Sequence, residues 1–578
     1  MKTNTIFKLI AVVLCASVML TSCIEETVLE NGNATAEQVG NSPFAGGGVL
    51  VAVPTIMMSN GTTYTGEHIE FGYLGLLGAL DRMAGEVFPV SGNMSGGNQY
   101  YDRWQFALYP GVSTWLNNTG GASYWFYRSY YEFVATANSA ISVFASTGEP
   151  SGNLGAAYAL RAMMYMDMAR LYDPLPAVSG EGAAVNYTIP DKVTELTVPL
   201  VTELTSLEQM ENNPRIPRNS MWAFILNDLN NAETMIANDE FFSRPSIGVP
   251  DLAAVYGLKA RAYLWLGGFT EAYGDVTVPG QVEGAEAITV NVPTGSDAYR
   301  LAAEYARKAI NASGATIMNE AQWLDPKTGF CVANNSWLLG LCQSTDTVIN
   351  NLYSWTAHMS IDACWGYGPG SQPGVSVFTY NRMNDTDFRK KNIVGPERDY
   401  DAIAPYTMLT EAEFEGEVFS PIAPYAWIKF HTNGGEKYDY SLGNVTDIPL
   451  MRVEEMYLIE AEATAHYDQA TAGKLLTAFM ATRDSGYTLA TTDLVEEIIF
   501  QKRVEFWGEG IILFDLKRLN YGMTNGNEGS NAPTMNRLTT NGRAPWWNLV
   551  LPLDAEQQNS ALLEYNNPNA CKTYNSND

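Results

Sequence analysis

Five stretches of this chain place apolar side chains at helical spacing, and four of them fall into two pairs with a common offset. Ser123 to Phe144 aligns Phe126, Tyr130, Phe133, Ala137, Ile141 and Phe144 on one face, and Leu154 to Leu171 aligns Ala157, Leu160, Met164, Met168 and Leu171. Met221 to Ile236 carries Trp222, Ile225, Leu226 and Leu229, and Asp251 to Phe269 carries Val255, Leu258, Ala262, Leu266 and Phe269. The first pair starts at 123 and 153 and the second at 221 and 251, 30 residues apart in each case. A helix with one apolar stripe must bury it against a neighbour. A fixed offset of this size therefore predicts stacked helix hairpins with small residues where the helices touch, of tetratricopeptide-like size and Ala/Tyr/Leu composition. Asp297 to Ile310 adds a fifth expected helix through Ala302, Tyr305, Ala306 and Ala309. The expected fold class is mostly α: a helical-repeat body with long loop-rich insertions and little β structure.

The last helical block, residues 447–520, is the densest in signals. Asp447-Ile448-Pro449 reads as a helix start, a capping side chain followed by a proline where no backbone donor is missed. The run MRVEEMYLIEAEATAHY continues it, and Asp493 with Glu496 three residues on marks a second start. That helix reads EEIIFQKRVEFWGEGIILFDLKRL, with Gly508 and Gly510 as its stop signal. Lys502, Arg503, Glu505, Glu509, Asp515, Lys517 and Arg518 mix both charges through it, and mutual pairing at a junction of elements is the expected use.

Three runs here, MRVEEMYLIEAEA, QKRVEFWGEGIILFDLKR and LPLDAEQQNSALLEYNNPNA, resemble in order the C-terminal signature of the SusD/RagB family. In the last run only Leu551-Pro552 and Asn567-Pro568 keep the family's pattern well. The resemblance implies a body of about four tetratricopeptide-like helix pairs, closed by the 447–520 block. It also implies an outer-membrane lipoprotein that captures nutrients, mostly glycans, for a SusC-like TonB-dependent transporter.

The N-terminus agrees with that implication. Lys2 and Lys8 precede the apolar run LIAVVLCASVML, and Leu20-Thr21-Ser22-Cys23 follows. This is a secretory leader, its apolar core too short for a comfortable membrane span, and Cys23 resembles a lipobox cysteine that is acylated after cleavage. Each buried acyl methylene contributes about 0.8 kcal/mol of membrane affinity, so several chains anchor firmly. Glu25 and Glu26 resemble the acidic signal that sends Bacteroidetes-type lipoproteins to the outer face. The expected organisation is a signal peptide over 1–22 and a flexible, polar, Gly-rich tether over 23–45. A single domain over 46–578 follows, with repeats mainly in 123–313 and 447–520. Loop-rich ligand-binding parts span 46–122 and 314–446, and a C-terminal segment spans 521–578.

Net charge excludes one class of partner. Lys and Arg number 34 against 63 Asp and Glu, a balance of −29, or −31 once the two leader lysines are gone. Such a chain repels phosphate backbones, so nucleic acid is not an expected partner, and charge does not draw it to anionic lipid. Beyond the leader, Cys331, Cys342, Cys364 and Cys571 show no C-x-x-C spacing, and four dispersed histidines make no zinc set. A Cys331–Cys342 disulfide and free buried thiols both remain open.

Two loops gather the candidate site. From Asn98 to Tyr131 there are 12 aromatic residues in 34, beginning with Tyr100, Tyr101 and Trp104 behind the Gly-rich SGNMSGG. Sugars offer flat C–H faces that rings cover with little side-chain entropy to lose, while polar neighbours take the hydroxyls. Tyr101 and Trp104 are therefore candidate glycan contacts, with Asn98, Asp102 and Arg103 placed to hydrogen-bond, although many such rings pack beneath their loop. The second loop, NNLYSWTAHMSIDACWGYGPGSQPG, supplies Tyr353, Trp355, Trp365 and Tyr367. Its Gly-Tyr-Gly-Pro-Gly stretch predicts a turn under Trp365 and Tyr367, which makes those two the leading candidates.

Catalytic signals are missing from the sequence. There is no G-x-S-x-G, H-E-x-x-H, P-loop or G-x-G-x-x-G, and pairs such as Asp385/Asp387 and Glu496/Glu497 say nothing about acids opposed across a cleft. Asn384-Asp385-Thr386-Asp387 lacks the glycine and distal glutamate of a calcium loop. The expectation is a non-catalytic binder without cofactor or metal, holding a glycan with an affinity on the order of micromolar to millimolar. A peptide-capturing protein of the same fold, a surface glycosidase and a protein-binding scaffold are the alternatives.

Overall fold

A computed structural model describes residues 35–58, 70–91, 121–177, 187–280, 287–345, 352–533 and 536–568. Among them helices dominate, and strands occur only as four two-stranded antiparallel ladders. The predicted periodicities are all helices: α3 (Gly121–Ala145), α4 (Gly152–Tyr172), α5 (Arg218–Asn238), α6 (Leu252–Gly267) and α7 (Gly295–Ser313). Ser151 caps α4 and Asp251 caps α6 by accepting the backbone N–H three residues on. Each helix packs on the next along the chain, α3 on α4, α4 on α5, α5 on α6 and α6 on α7.

The stack resumes after a long excursion. Helix α7 packs against α8 (Val453–Ala465), which packs in turn on α9 (Gln469–Met480). Helices α10 (Leu494–Glu505) and α11 (Ile512–Leu519) then fold back over the body. Asp493 caps α10 as expected, accepting from Glu496 N at 3.0 Å. Two readings of this block need correction. Asp447-Ile448-Pro449 opens a strand, not a helix: Asp447–Arg452 pairs antiparallel with Trp337–Cys342, and α8 begins only at Val453. The Lys502-to-Arg518 run is also two helices, since Gly508 and Gly510 take φ of +81° and +76° and turn the chain between them.

The N-terminal part also differs from expectation. The stretch expected to be a tether up to residue 45 is helical from Ala36, and α1 (Pro43–Met57) packs on α3 and α4. Within the expected loop 46–122 lies α2 (Gly72–Met83), all of whose residues are buried and which packs on α11, α1 and α3. Its sequence GYLGLLGALDRM is apolar all round, so it carries no stripe for periodicity to detect.

The mixed charges of the C-terminal block form buried networks. The Glu505 carboxylate accepts from Arg389 at 3.0 Å, from Arg452 at 3.2 Å and from Arg483 at 2.8 Å, and Glu509 accepts from Lys429 at 2.7 Å. Lys502 and Arg518 share Glu462 and Asp515, and Arg503 pairs with Glu86. Lys517 departs from the pattern: its ammonium donates to the carbonyls of Arg170, Leu171, Asp173 and Trp547, at 2.6 to 3.3 Å, at the C-terminal end of α4.

Candidate ligand-binding site

The excursion between α7 and α8 is built on its own small core of Ile361, Val394, Ile403, Leu409, Phe414, Ile422, Ala426 and Ile428. That core lets a Gly- and Pro-rich segment hold its rings in place. Below it Asp362, fully buried, accepts from Thr407 Oγ1 at 2.5 Å, from Met408 N at 3.1 Å and from His431 Nδ1 at 2.9 Å. The backbone packs tightly here: a Cβ at Gly368 would meet Ser360 O at 1.8 Å, so only glycine fits.

The two aromatic loops of the sequence share a root. Strand β1 (Phe88–Pro89), just before the first loop, pairs antiparallel with Pro373–Gly374, the end of the second, and Val90 N donates to Gln372 O at 3.0 Å. Ser91 and Ser420 hydroxyls sit 3.3 Å apart beside the ladder. Asn98, Tyr101, Trp104 and Arg103 themselves lie outside the described residues. Farther along that loop, Trp125, Phe126 and Tyr130 belong to the main core.

The second loop divides. Trp365 and Tyr367 sit on the expected turn, both half-buried, with Tyr353 also half-buried. The Trp365 ring lies against Gly443, and Tyr367 tilts on His358 at 5.1 Å between ring centres. Trp355 is different. It is 1 % exposed and packs edge-on to Phe430 at 5.3 Å, because it opens the helical turn Trp355–Met359 that docks on α2. The expectation that Trp355 contacts ligand is corrected: it is a core residue.

The sequence reading missed a third contributor, residues 436–442. Cys364 N donates to Lys437 O at 3.0 Å, which brings this segment beside Trp365. There Tyr438 is 63 % and Tyr440 39 % exposed, with Leu442 at 52 %. Their signal was present in Gly-Gly-Glu-Lys-Tyr-Asp-Tyr-Ser-Leu-Gly, rings alternating with polar residues between glycines, but short and without periodicity. Glu413 ties the segment down, accepting from Lys437 Nζ, Tyr438 Oη and Thr410 N. Burial pushes the Glu413 carboxyl up, but these hydrogen bonds outweigh it and hold the pKa at about 2. The result is a surface of exposed and half-exposed rings with hydroxyl, carboxylate and ammonium groups between them. It can grip a flat, hydroxylated ligand by contact and hydrogen bonding.

The acids weighed for catalysis are engaged by bases. Asp387 is paired with Arg389, Asp385 with Lys390, and Glu496 and Glu497 both with Arg382. Asn384 and Thr386 donate to Asp484, so the polar groups of that turn are taken up by a carboxylate distant in the chain. Cys331, Cys342 and Cys364 carry free thiols, whereas Cys23 and Cys571 lie outside the described residues. No described helix is long and apolar enough to cross a membrane.

Comparison with known proteins agrees with this architecture. The sequence model of the SusD family matches residues 425–548, while no curated protein matches the chain. Among solved structures, the chain is similar to a SusD-like carbohydrate binding protein from Bacteroides vulgatus, with 19 % identity and a TM-score of 0.63 over 90 % of this chain and 97 % of that one. It is also similar to surface glycan-binding protein A from Bacteroides thetaiotaomicron, with 15 % identity and a TM-score of 0.60 over 90 % and 98 % of the two chains. A SusD superfamily protein from the same species gives 16 % identity and 0.59 over 89 % and 98 %. The chain thus carries the SusD family's sequence match over residues 425–548, within a helical body that has the fold of these solved structures.

Proposed function

We propose that this protein captures an oligosaccharide or polysaccharide at the cell surface without cleaving it and hands it to a SusC-like TonB-dependent transporter. The observation that carries the reading is that Trp365 lies against Gly443 and beside the exposed Tyr438 and Tyr440, through the Cys364–Lys437 hydrogen bond, with Tyr367 on the same turn as Trp365. Rings with interspersed hydroxyl and charged groups suit sugar faces and edges, and binding by contact alone needs no nucleophile. The family likeness supports a non-catalytic role, and the carbohydrate- and glycan-binding neighbours support the ligand class. In this reading Cys23 carries the lipid, the protein is anchored on the outer membrane facing outward, and Tyr353, Tyr101, Trp104, Asn98 and Arg103 complete the surface. The residues beyond 45 then act as one SusD-like domain.

A glycan array on the mature chain, with a peptide library as its counterpart, tests the ligand class. Retention of at least one glycan family and no peptide is the expected result. Peptide binding without glycan binding would assign the same surface to peptide capture.

A further inference from the structure

The charges around the ring surface are one-sided. Residues 352–446, which build it, hold 12 Asp and Glu against seven Lys and Arg, a balance of −5. Each of the seven bases is already paired with a carboxylate. Lys437, the base that stands among the rings, is taken by Glu413. Five of the 12 acids have a basic partner: Asp385, Asp387, Glu413 and Glu415 pair with Lys or Arg, and Asp362 with His431. The other seven pair with no base among the described residues, and two of them, Glu436 and Asp439, flank Tyr438. The first aromatic loop adds one base, Arg103, next to Asp102 in sequence and outside the described residues.

Turn hydrogen bonds, not a cation, hold these two carboxylates. Glu436 Oε1 accepts from Tyr438 N at 2.9 Å and from Asp439 N at 3.1 Å. Asp439 Oδ1 accepts from Ser441 N at 2.9 Å and from Ser441 Oγ at 2.6 Å. The N–H of Tyr438, and then that of Asp439, keep the Glu436 carboxyl below the usual carboxylate range, so it is charged at neutral pH. Asp439 is exposed. A Cβ on Gly443 would meet the Trp365 ring and the Glu436 carbonyl together, so that ring and the backbone of this acid share one side of the glycine. A sugar laid on these rings therefore has ionised carboxylates at its edge. Its hydroxyls donate to them in charge-assisted bonds, whereas a carboxylate or sulfate on the sugar meets like charge with no free cation to offset it.

We infer that the ring surface selects uncharged glycans, and that Glu436 and Asp439 turn away those bearing carboxylate or sulfate groups. This selectivity rests on the capture reading above and narrows its ligand class. It joins a repulsive element to an attractive one: the rings accept any sugar face, and the carboxylates decide which edges are admitted.

The test is calorimetric titration of the mature chain with pullulan, galactomannan, arabinoxylan and mixed-linkage β-glucan as neutral polymers, and with polygalacturonate and chondroitin sulfate as anionic ones. The neutral polymer that binds best is also titrated after partial oxidation of its primary hydroxyls to carboxylates, which adds charge and keeps the sugar shape. At least one neutral polymer is expected to bind, and every anionic polymer to bind at least tenfold more weakly at about 20 mM salt. Raising salt to about 200 mM should strengthen the anionic interaction and leave the neutral one unchanged. The Glu436→Gln/Asp439→Asn double variant, whose amides can still accept the turn bonds, should narrow the ratio of Kd between oxidised and unoxidised polymer at least threefold. A ratio that the double variant leaves unchanged overturns the role of these two acids. An anionic polymer bound as tightly as any neutral one, and released by Trp365→Ala, overturns the selectivity and leaves glycan capture standing. Loss of that anionic binding in Arg103→Gln overturns it equally, the first loop then supplying the cation. Binding of no polymer at all overturns glycan capture itself.

Discussion

Trp365 and Tyr438 show what a single side chain contributes here. One ring is half-buried on a Gly-rich turn and the other is largely exposed, and both flank the polar groups of the 436–442 segment. A ring against a sugar face is worth about 1 kcal/mol, so Trp365→Ala and Tyr438→Ala should each raise the glycan Kd by roughly 5-fold. Circular dichroism should show the fold retained in both, and an unchanged Kd in titration would remove that ring from the site. Glu413 makes the surface sensitive to acid. Its folded pKa is depressed from 4.5 to about 2, so its stabilising contribution is present above about pH 4.5 and is lost as pH falls toward 2. Glycan affinity should therefore hold between pH 5 and 7 and decline below about 4, while Glu413→Gln should bind weakly across the whole range. An acid-insensitive wild type would detach Glu413 from the surface.

At the scale of elements, the junction of α10 and α11 is the point of greatest constraint. Gly510 has φ of +76°, and a Cβ there would stand 2.4 Å from Leu77 Cβ on α2. Gly510→Ala should cost about 2–4 kcal/mol through backbone strain and overpacking, read as a lower denaturant midpoint with unchanged slope. Glu505 presents the electrostatic counterpart: Arg389, Arg452 and Arg483 keep Asp387, Glu454 and Glu509, but Glu505→Gln leaves one buried positive charge uncompensated and should cost about 3–5 kcal/mol in the same measurement. The repeat helices were legible because each carries one apolar stripe and ends at a recognisable cap. Helix α2 was not, because burial on every side erases the stripe. Asp447-Ile448-Pro449 misled for a related reason: cap-plus-proline is a local signal, and pairing with Trp337–Cys342, a hundred residues earlier in sequence, overrides it. Pro449 is tolerated because the ladder is only two strands wide and its register shifts beside Gly340.

For the whole molecule, the stack of helix pairs and the family likeness were readable from the sequence, since both rest on periodicity and ordered motifs. The site was readable only in part. Trp365 and Tyr367 follow from turn chemistry, but Trp355 sits ten residues earlier in the same aromatic-rich loop and is core, and Tyr438 and Tyr440 come from a segment brought to Trp365 by the backbone of Lys437 and by Gly443. Loop aromatics carry no period, so whether a ring faces water depends on packing between segments far apart in the chain. The central claim is that this packing leaves a ring surface that grips a glycan and leaves it intact. The most direct measurement is affinity electrophoresis of the mature chain and its Trp365→Ala/Tyr438→Ala double variant in gels loaded with one polysaccharide at a time, followed by analysis of the polysaccharide for chain shortening. The account predicts that at least one polysaccharide retards the wild type, that the double variant runs free, and that the polymer keeps its length. Equal retardation of both proteins, or a shortened polymer, would contradict it.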